Sequence, residues 1–585
     1  MKLNNSNKTI ILVFGVLWLI SGLIAYNSAV SDDRETYIDD ILAIERTELI
    51  TQNLSPNNPA AGAKQTTTLP QMIEKIVTII QRLDAIYVDD VDYNTLMEDA
   101  INGMLRGLDP HTSYFTKDDF ESFTSSTKGE FGGLGIQIDK KGDYITVVSP
   151  IQGTPAFRMG IMAGDMIWKV DGEDITGITT DESIKKMRGD VGSEVVITVI
   201  RPGVKQPLDF KIIRDIIKIN SIPYSFKLDN NVGYIRMSQF NANTTQELNE
   251  ALNTLEKEKI KGLIIDLRFN PGGLLSEAIN TVNEFIGKDK RVVYTKGRIE
   301  YANEDYFTTK NVKRPDYPIV VLINEASASA SEIFAGSMQD YDRGLVMGKT
   351  SFGKGSVQQL FPLRDGSGIK ITTSHYYINS GRCIHKIIND KLLTGKKVTK
   401  EEKKDIDKFN HDNIYKTAKG RTVYGGGGIT PDIVVEADTL SRFELELRRR
   451  NLFFDYAIEY MLKNGDNVTT NFTVSDKELN DFMAYVIKTE KENIAKEAEK
   501  NDDDDDALKI KSPIDLTNPA PSDLAHSKNY IKLTLASEII EKKFGSQEGY
   551  KIRLEMDNQL QEAKSLFDKY DTLNEMFESI IIEKS

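Results

Sequence analysis

The stretch YPIVVLINEASASAS, residues 317–331, decides the reading of this chain. Ile319 to Ile323 is an unbroken apolar run rich in β-branched residues, bounded by Pro318 and Asn324, which is the pattern of a buried strand. It runs through small side chains into a helical pattern starting near Glu332, with Ser331–Gln339 as its body. Strand followed directly by helix is the unit of a βα-layered domain. A serine at such a junction presents its Oγ beside the free N–H groups of the helix start, where negative charge developing on a carbonyl oxygen would be stabilised. The same three serines also suit capping or linking.

A second stretch, GKTSFGKGSVQ at residues 348–358, sets Lys354 between two glycines. A P-loop pattern is met from Gly348 to Lys354, but its last position is Gly355, so no hydroxyl is placed for magnesium. The chain has no G-x-S-x-G and no HExxH, and its five histidines (111, 375, 385, 411, 526) are scattered, giving a Ser-His-Asp triad no local support. A base other than histidine is therefore attractive. A lysine desolvated in an apolar pocket loses basicity, and its neutral amine can deprotonate a serine.

Outward from these motifs, apolar strands alternate with helical patterns from residue 216: Gly262–Leu267 then Leu274–Phe285, and Ile319–Ile323 then the serine helix. Residues 128–215 instead show short β-type runs at Tyr144–Val148, Met166–Val170, Glu194–Ile200 and Leu208–Ile213, separated by Gly, Asp and Pro turns. Before them Met72, Ile73, Ile76, Val77, Ile80 and Leu83 recur at helical spacing behind Pro70, and a second helix near Asn94–Leu105 ends at Gly107. Residues 51–69 are small and polar, a linker. The segment past residue 440 is rich in Leu, Glu and Lys at helical spacing. The run Asp502–Asp506 reads as a solvated loop, because adjacent carboxylates without turn glycines cannot wrap one ion.

At 585 residues several folded units are expected, and 39% apolar residues exclude global disorder. A net charge of −14 disfavours a nucleic-acid binder. The lone cysteine, Cys383, rules out an intrachain disulfide and any multi-cysteine zinc site. Ile10 to Tyr26 carries no charge, with Lys2 and Lys8 before it and Asp32, Asp33 and Glu35 after it. That arrangement predicts an uncleaved single-pass membrane anchor with a cytoplasmic N-terminus and an extracytoplasmic, periplasmic body; a cleaved signal is the alternative.

Asn324 with SASASEIFAGSMQD (327–340), followed by FGKGSVQ (352–358), resembles the carboxyl-terminal processing proteases, the tail-specific proteases of peptidase family S41. The stretch GLIIDLRFNPGGLL (262–275) is similar to that family's strand and glycine turn. The likeness runs from about Pro70 to Val435, including LDPHTSY (108–114) and GGGITPD (426–432). It implies Ser329 as nucleophile, Lys354 as base, and Gln358 holding the amine. It further implies an oxyanion hole from the backbone of Gly272, Gly273 and Ala330, with Glu332 and Asp340 ordering the helix and lysine loop. FGGLGI (131–136), with the turns at 153–161 and 163–172, resembles a PDZ domain. Backbone N–H groups at Gly133–Gly135 would cradle a terminal carboxylate, Leu134 and Ile136 would flank a pocket for the last side chain, and the next strand would accept an extended peptide.

The expected architecture is multidomain α+β: a membrane helix (1–27), a linker (28–69), a helical entry segment (70–127), a PDZ-like β module (128–215), a crotonase-like βα-layered serine protease core (216–437, with a charged insertion at 387–420) and a helical C-terminal extension (438–585). The expected function is serine endoproteolysis of exported, unfolded or tagged proteins near their C-termini, with no metal or organic cofactor. The C-terminal helices are candidates for homodimer or adaptor contacts, or for a wall of the substrate channel. A non-catalytic membrane-tethered PDZ receptor or scaffold, and an acyl hydrolase or lyase on a crotonase-like fold, are the alternatives.

Overall fold

A computed structural model describes residues 68–312, 314–386, 399, 413–500 and 514–583. Among these no helix is long and apolar enough to cross a membrane. The expected anchor at Ile10–Tyr26 and the acidic run Asp502–Asp506 lie outside the described residues. The described residues divide into two units, one ending at Asp92 and the other beginning at Tyr93. In the first, helix α1 spans Leu69–Ile86 with proline in its opening turn, as the periodicity predicts.

The second unit opens with α2 (Tyr93–Arg106), a short strand β1 (Ser113–Phe115) and α3 (Lys117–Lys128), which Gly129 ends in the left-handed conformation. The PDZ-like module follows: β2 (Glu130–Gly133), β3 (Ile136–Lys141), β4 (Tyr144–Pro150), β5 (Met166–Val170), α4 (Thr180–Met187), β6 (Glu194–Ile200), β7 (Leu208–Ile213) and β8 (Asp215–Lys218). Its antiparallel sheet has the order β3-β4-β5-β6-β7, while β2 pairs with β8. Ile145, Val147, Val195, Ile197 and Val199 alternate inward to one core. Strand β3 lies at the sheet's edge.

The central sheet is built from β9 (Tyr224–Lys227), β10 (Val232–Arg236), β11 (Gly262–Asp266), β14 (Ile319–Ile323), β15 (Leu345–Gly348) and β20 (Ile433–Val434), side by side in that order. All pairs beyond β9–β10 are parallel. Helices α5 (Thr244–Lys257), α6 (Leu275–Val282) and α7 (Ala330–Asp340) cover one face. A second sheet joins β12 (Arg291–Gly297), β13 (Asp305–Phe307), β16 (Ser356–Pro362) and the long β17 (Gly368–Ile378) with β1. The hairpin β18 (Ile414–Lys416) and β19 (Thr422–Tyr424) closes on the end of α7: Ala418 donates its N–H to the Asp340 carbonyl, and Arg421 pairs with Asp342. The described end of the charged insertion is thus packed against the core rather than hanging from it.

The C-terminal portion contains α8 (Arg442–Arg449), α9 (Leu452–Asn464), α10 (Asp476–Lys500), α11 (Pro521–Phe544), α12 (Ser546–Arg553), α13 (Asn558–Lys569) and α14 (Leu573–Glu583). Helices α8 to α11 share a core around Phe453, Phe482 and Leu535. The last two helices lie elsewhere. Leu560, Ala563, Leu566, Phe567, Met576 and Phe577 bury the second face of the central sheet against Val232, Tyr234, Ile264, Val320, Leu322, Leu345 and Met347. This explains why the sheet's strands read as continuous apolar runs, since both faces are covered.

Candidate active site

Strand β14 ends at Asn324, whose side-chain oxygen accepts the N–H groups of Phe269 (2.8 Å) and Ala326 (3.2 Å), tying together the turns that follow β11 and β14. Of the three serines in the second turn, two are buried and engaged. Ser327 Oγ donates to the Leu267 carbonyl (2.8 Å) and Ser331 Oγ to the Asn270 carbonyl (3.0 Å). Ser329 alone of the three lines a cleft of about 360 Å³. It stands at the start of α7 with φ 55° and ψ −115°, a conformation of order 1–3 kcal/mol unfavourable for a residue with a Cβ. Glu332 holds it there by accepting the Ser329 N–H at 2.8 Å.

Glu332 is wholly buried and is the hub of the site. Its carboxylate also accepts the Ser351 hydroxyl (2.5 Å) and the N–H groups of Gly353 (2.7 Å) and Lys354 (2.9 Å), so one side chain fixes both the serine turn and the lysine loop. Burial pushes its carboxyl above the ordinary range, and these hydrogen bonds oppose the shift. Tyr376, buried on β17, adds a second tie: its hydroxyl lies 2.6 Å from the Lys354 carbonyl and 3.2 Å from that of Ser329.

The Lys354 side chain enters the same cleft as Ser329. Desolvation is the largest influence on it and holds its amine below the usual lysine range. The charge of Lys370 acts in the same direction, against Glu332 and Asp109. Gln358, also in the cleft, donates to Ser356 Oγ (2.9 Å) and Thr372 Oγ1 (3.3 Å); among the described residues no hydrogen bond joins it to the Lys354 amine. Thr372 in turn donates to Asp109 (3.0 Å), whose carboxylate also accepts two N–H groups and the Thr112 hydroxyl. No histidine is among the residues that line the cleft.

The glycine turn after β11 faces Ser329. A Cβ on Gly272 would lie 2.8 Å from Ser329 Cβ and 2.6 Å from the Ala328 carbonyl, and one on Gly273 would lie 2.0 Å from the Phe240 carbonyl, so no side chain fits at either. The Gly272 N–H is taken by Asn270 Oδ1 at 2.9 Å. The N–H groups of Gly273 and Ala330 have no acceptor among the described residues. Asp340, at the far end of α7, forms a fully buried ion pair with Arg382 (2.8 Å) and accepts the Ser380 N–H.

In the PDZ-like module, Gly133 ends β2 and Gly135 has φ 78°, with Thr154 filling the space a Cβ would need. Leu134 is buried in the module's core, with Ile136 packed against it. Sequence reasoning missed Tyr376, Thr372 and Lys370, and used Asp109 only as a landmark. All but Asp109 sit on β17, whose register against β16 and β1 brings them to the cleft.

Comparison with known proteins matches residues 231–392 to peptidase family S41, 132–212 to the PDZ domain and 443–567 to the C-terminal helical domain of probable PDZ-proteases. Residues 36–119 match the N-terminal domain of the activating protease CtpB. The carboxy-terminal-processing protease of Bartonella bacilliformis is 41% identical over 343 residues, 58% of this chain and 77% of that protein. The carboxy-terminal processing protease CtpA of Bacillus subtilis is 34% identical over 58% of this chain and 72% of its own length. Among solved structures, the photosystem II D1 C-terminal processing protease is 28% identical over 54% of this chain and 86% of its own, with a TM-score of 0.32. The PDZ domain of a carboxy-terminal protease from Vibrio cholerae, solved with a peptide, is 28% identical over 15% of this chain and 98% of its own, with a TM-score of 0.15. From the serine turn, the glycine turn and the lysine loop to the helices behind the sheet, the chain belongs to peptidase family S41, as a carboxyl-terminal processing protease with a PDZ domain.

Proposed function

We propose that the protein is a serine endopeptidase that cleaves other proteins near their C-termini, with Ser329 as nucleophile and Lys354 as general base. One observation carries this reading: of the three turn serines, only Ser329 opens into the cleft, and it shares that cleft with a lysine whose basicity burial lowers. Ser329 Oγ attacks the scissile carbonyl carbon as its proton passes to the Lys354 amine. The oxyanion is met by the Gly273 and Ala330 N–H groups, and Lys354 then protonates the leaving amine as the acyl-enzyme forms. Water attacks the ester with the same lysine as base and releases the new C-terminus. Gln358 orders the wall beside the amine through Ser356 and Thr372. No step calls for a metal or organic cofactor.

The PDZ module supplies the C-terminal preference. In this reading the β2–β3 turn takes the carboxylate and edge strand β3 takes the peptide as an added strand. Incubation of the full chain with one peptide, apolar at its C-terminus and either free or amidated, followed by mass mapping of fragments, tests both halves. The free form is cut and the amidated form much less, and Ser329→Ala or Lys354→Ala lowers cleavage by roughly 10³-fold or more. Binding without fragments would instead indicate a receptor, and full turnover in either variant would end the dyad assignment. Ile10–Tyr26 is proposed to tether this body outside the cytoplasm. The tethered chain stays in the membrane pellet through alkaline carbonate washing, and release into the wash would contradict the tether.

A further inference from the structure

The cleft contains a second lysine. Lys370 lies on β17 opposite Leu360 of β16, two residues from the Thr372–Gln358 pair, so Lys370, Thr372, Leu360 and Gln358 share one face of the ribbon. Lys370, Leu360 and Gln358 line the cleft with Lys354 and Ser329. Among the described residues no carboxylate lies within ion-pair distance of Lys370. Its Nζ lies 5.2 Å from the centre of the Phe115 ring and 5.5 Å from that of Phe123, and these two rings stack at 5.1 Å.

That choice of partner has an electrostatic consequence. A carboxylate would neutralise the ammonium and cancel its field, whereas aromatic faces stabilise a cation without adding opposite charge. The charged groups acting on Lys354 are Glu332 from α7, Asp109 from the segment between α2 and β1, and Lys370 from β17. Glu332 accepts four hydrogen bonds and Asp109 another four, which spread their charge over fixed donors. Lys370 has no ion pair among the described residues, and the one carboxylate acting on it is Asp109, whose charge is already spread over its four donors.

We propose that Lys370 is a positioning residue for the reaction: a cation seated on Phe115 and Phe123 that disfavours a second positive charge in the cleft, so that Lys354 stands neutral beside Ser329. The proposal rests on Lys354 being the base. The two amines then titrate as a pair in which the first proton goes to Lys370 and the second, at Lys354, is resisted. Burial lowers the basicity of Lys370 as well, while Asp109 favours its charged form.

The test is the pH dependence of kcat/KM for the full chain on a fluorogenic peptide with a free, apolar C-terminus. Wild type loses activity on the acid side as Lys354 protonates. Removing the Lys370 charge makes that protonation easier, so Lys370→Met moves the acid limb to higher pH. On the limb kcat/KM falls by about tenfold at a given pH and recovers as the pH rises, while Lys370→Arg keeps the wild-type limb. A loss equal at every pH marks a merely structural side chain and overturns the proposal. So does a rise in KM confined to peptides with acidic side chains, the limb staying in place. If wild type has no acid limb, or Lys354→Ala remains active, the base assignment itself falls, and this proposal with it.

Discussion

At the scale of single residues, the site is held by groups that leave little freedom. Ser329 adopts a left-handed backbone that its surroundings impose through Glu332, Tyr376 and the Asn270 carbonyl, which accepts the Ala328 N–H at 3.0 Å. Gly273 is constrained more severely. Its φ of 148° is open to glycine, and its backbone lies against Phe240 through an isolated β-bridge. Gly273→Ala must push this turn away from Phe240 and carry the N–H with it. Loss of one oxyanion donor costs about 10²–10³-fold in kcat. The variant is therefore expected to show that loss with KM little changed and a cooperative melt retained, as read by steady-state kinetics beside calorimetry. A kcat near wild type would remove Gly273 from the oxyanion hole.

At the scale of elements, α7 is the axle of the site, since every one of its residues is buried. Its start carries Ser329 and Glu332, and its end is clamped by Arg382 on Asp340 with the Ala418 N–H on the Asp340 carbonyl. Breaking a buried ion pair on one side typically costs about 3–5 kcal/mol, which makes the clamp a determinant of where the helix ends rather than a surplus contact. Most of these elements were legible in sequence because their signal is local. The runs Met166–Val170, Glu194–Ile200, Leu208–Ile213 and Ile319–Ile323 are strands at those bounds, and the serine helix begins one residue before its expected body. What escaped is what depends on pairing across the chain. Lys370, Thr372 and Tyr376 look like ordinary members of a polar strand until β17 is laid between β16 and β1, and the bulge between Val357 and Gln358 that turns this ribbon has no sequence mark. The candidate dyad was legible through family motifs, whereas the place of Lys370 in the same cleft follows only from strand pairing.

At the scale of the whole molecule, α13 and α14 change what the C-terminal portion is. In sequence they read as part of a helical extension suited to partners, because amphipathic periodicity reveals an apolar face but not what covers it. In the fold they form a layer of the catalytic domain, linked to it by polar contacts as well. Arg268, which leads into the glycine turn, pairs with Asp557 at the cap of α13 and bonds Gln559 within it at 2.8 Å, and Tyr550 of the preceding α12 shares a hydrogen bond with Tyr234. Leu560, Leu566, Phe567 and Phe577 are each nearly fully buried against the sheet. Burying one such side chain contributes about 1.5–3 kcal/mol, so these four together match the net stability of a typical domain, about 5–15 kcal/mol. Deleting residues 558–585 should therefore abolish soluble, cooperatively melting protein rather than trim a partner site. Leu566→Asp or Phe567→Asp in the full chain should lower the melting temperature sharply while touching no residue of the cleft. Soluble yield, thermal unfolding and peptide cleavage measured together decide the matter. A truncated chain that melts cooperatively and cuts the peptide at the wild-type rate would return these helices to the status of an appendage. A chain lost to aggregation, with the two aspartate variants destabilised in parallel, would make them the rear wall on which the Ser329 turn is built.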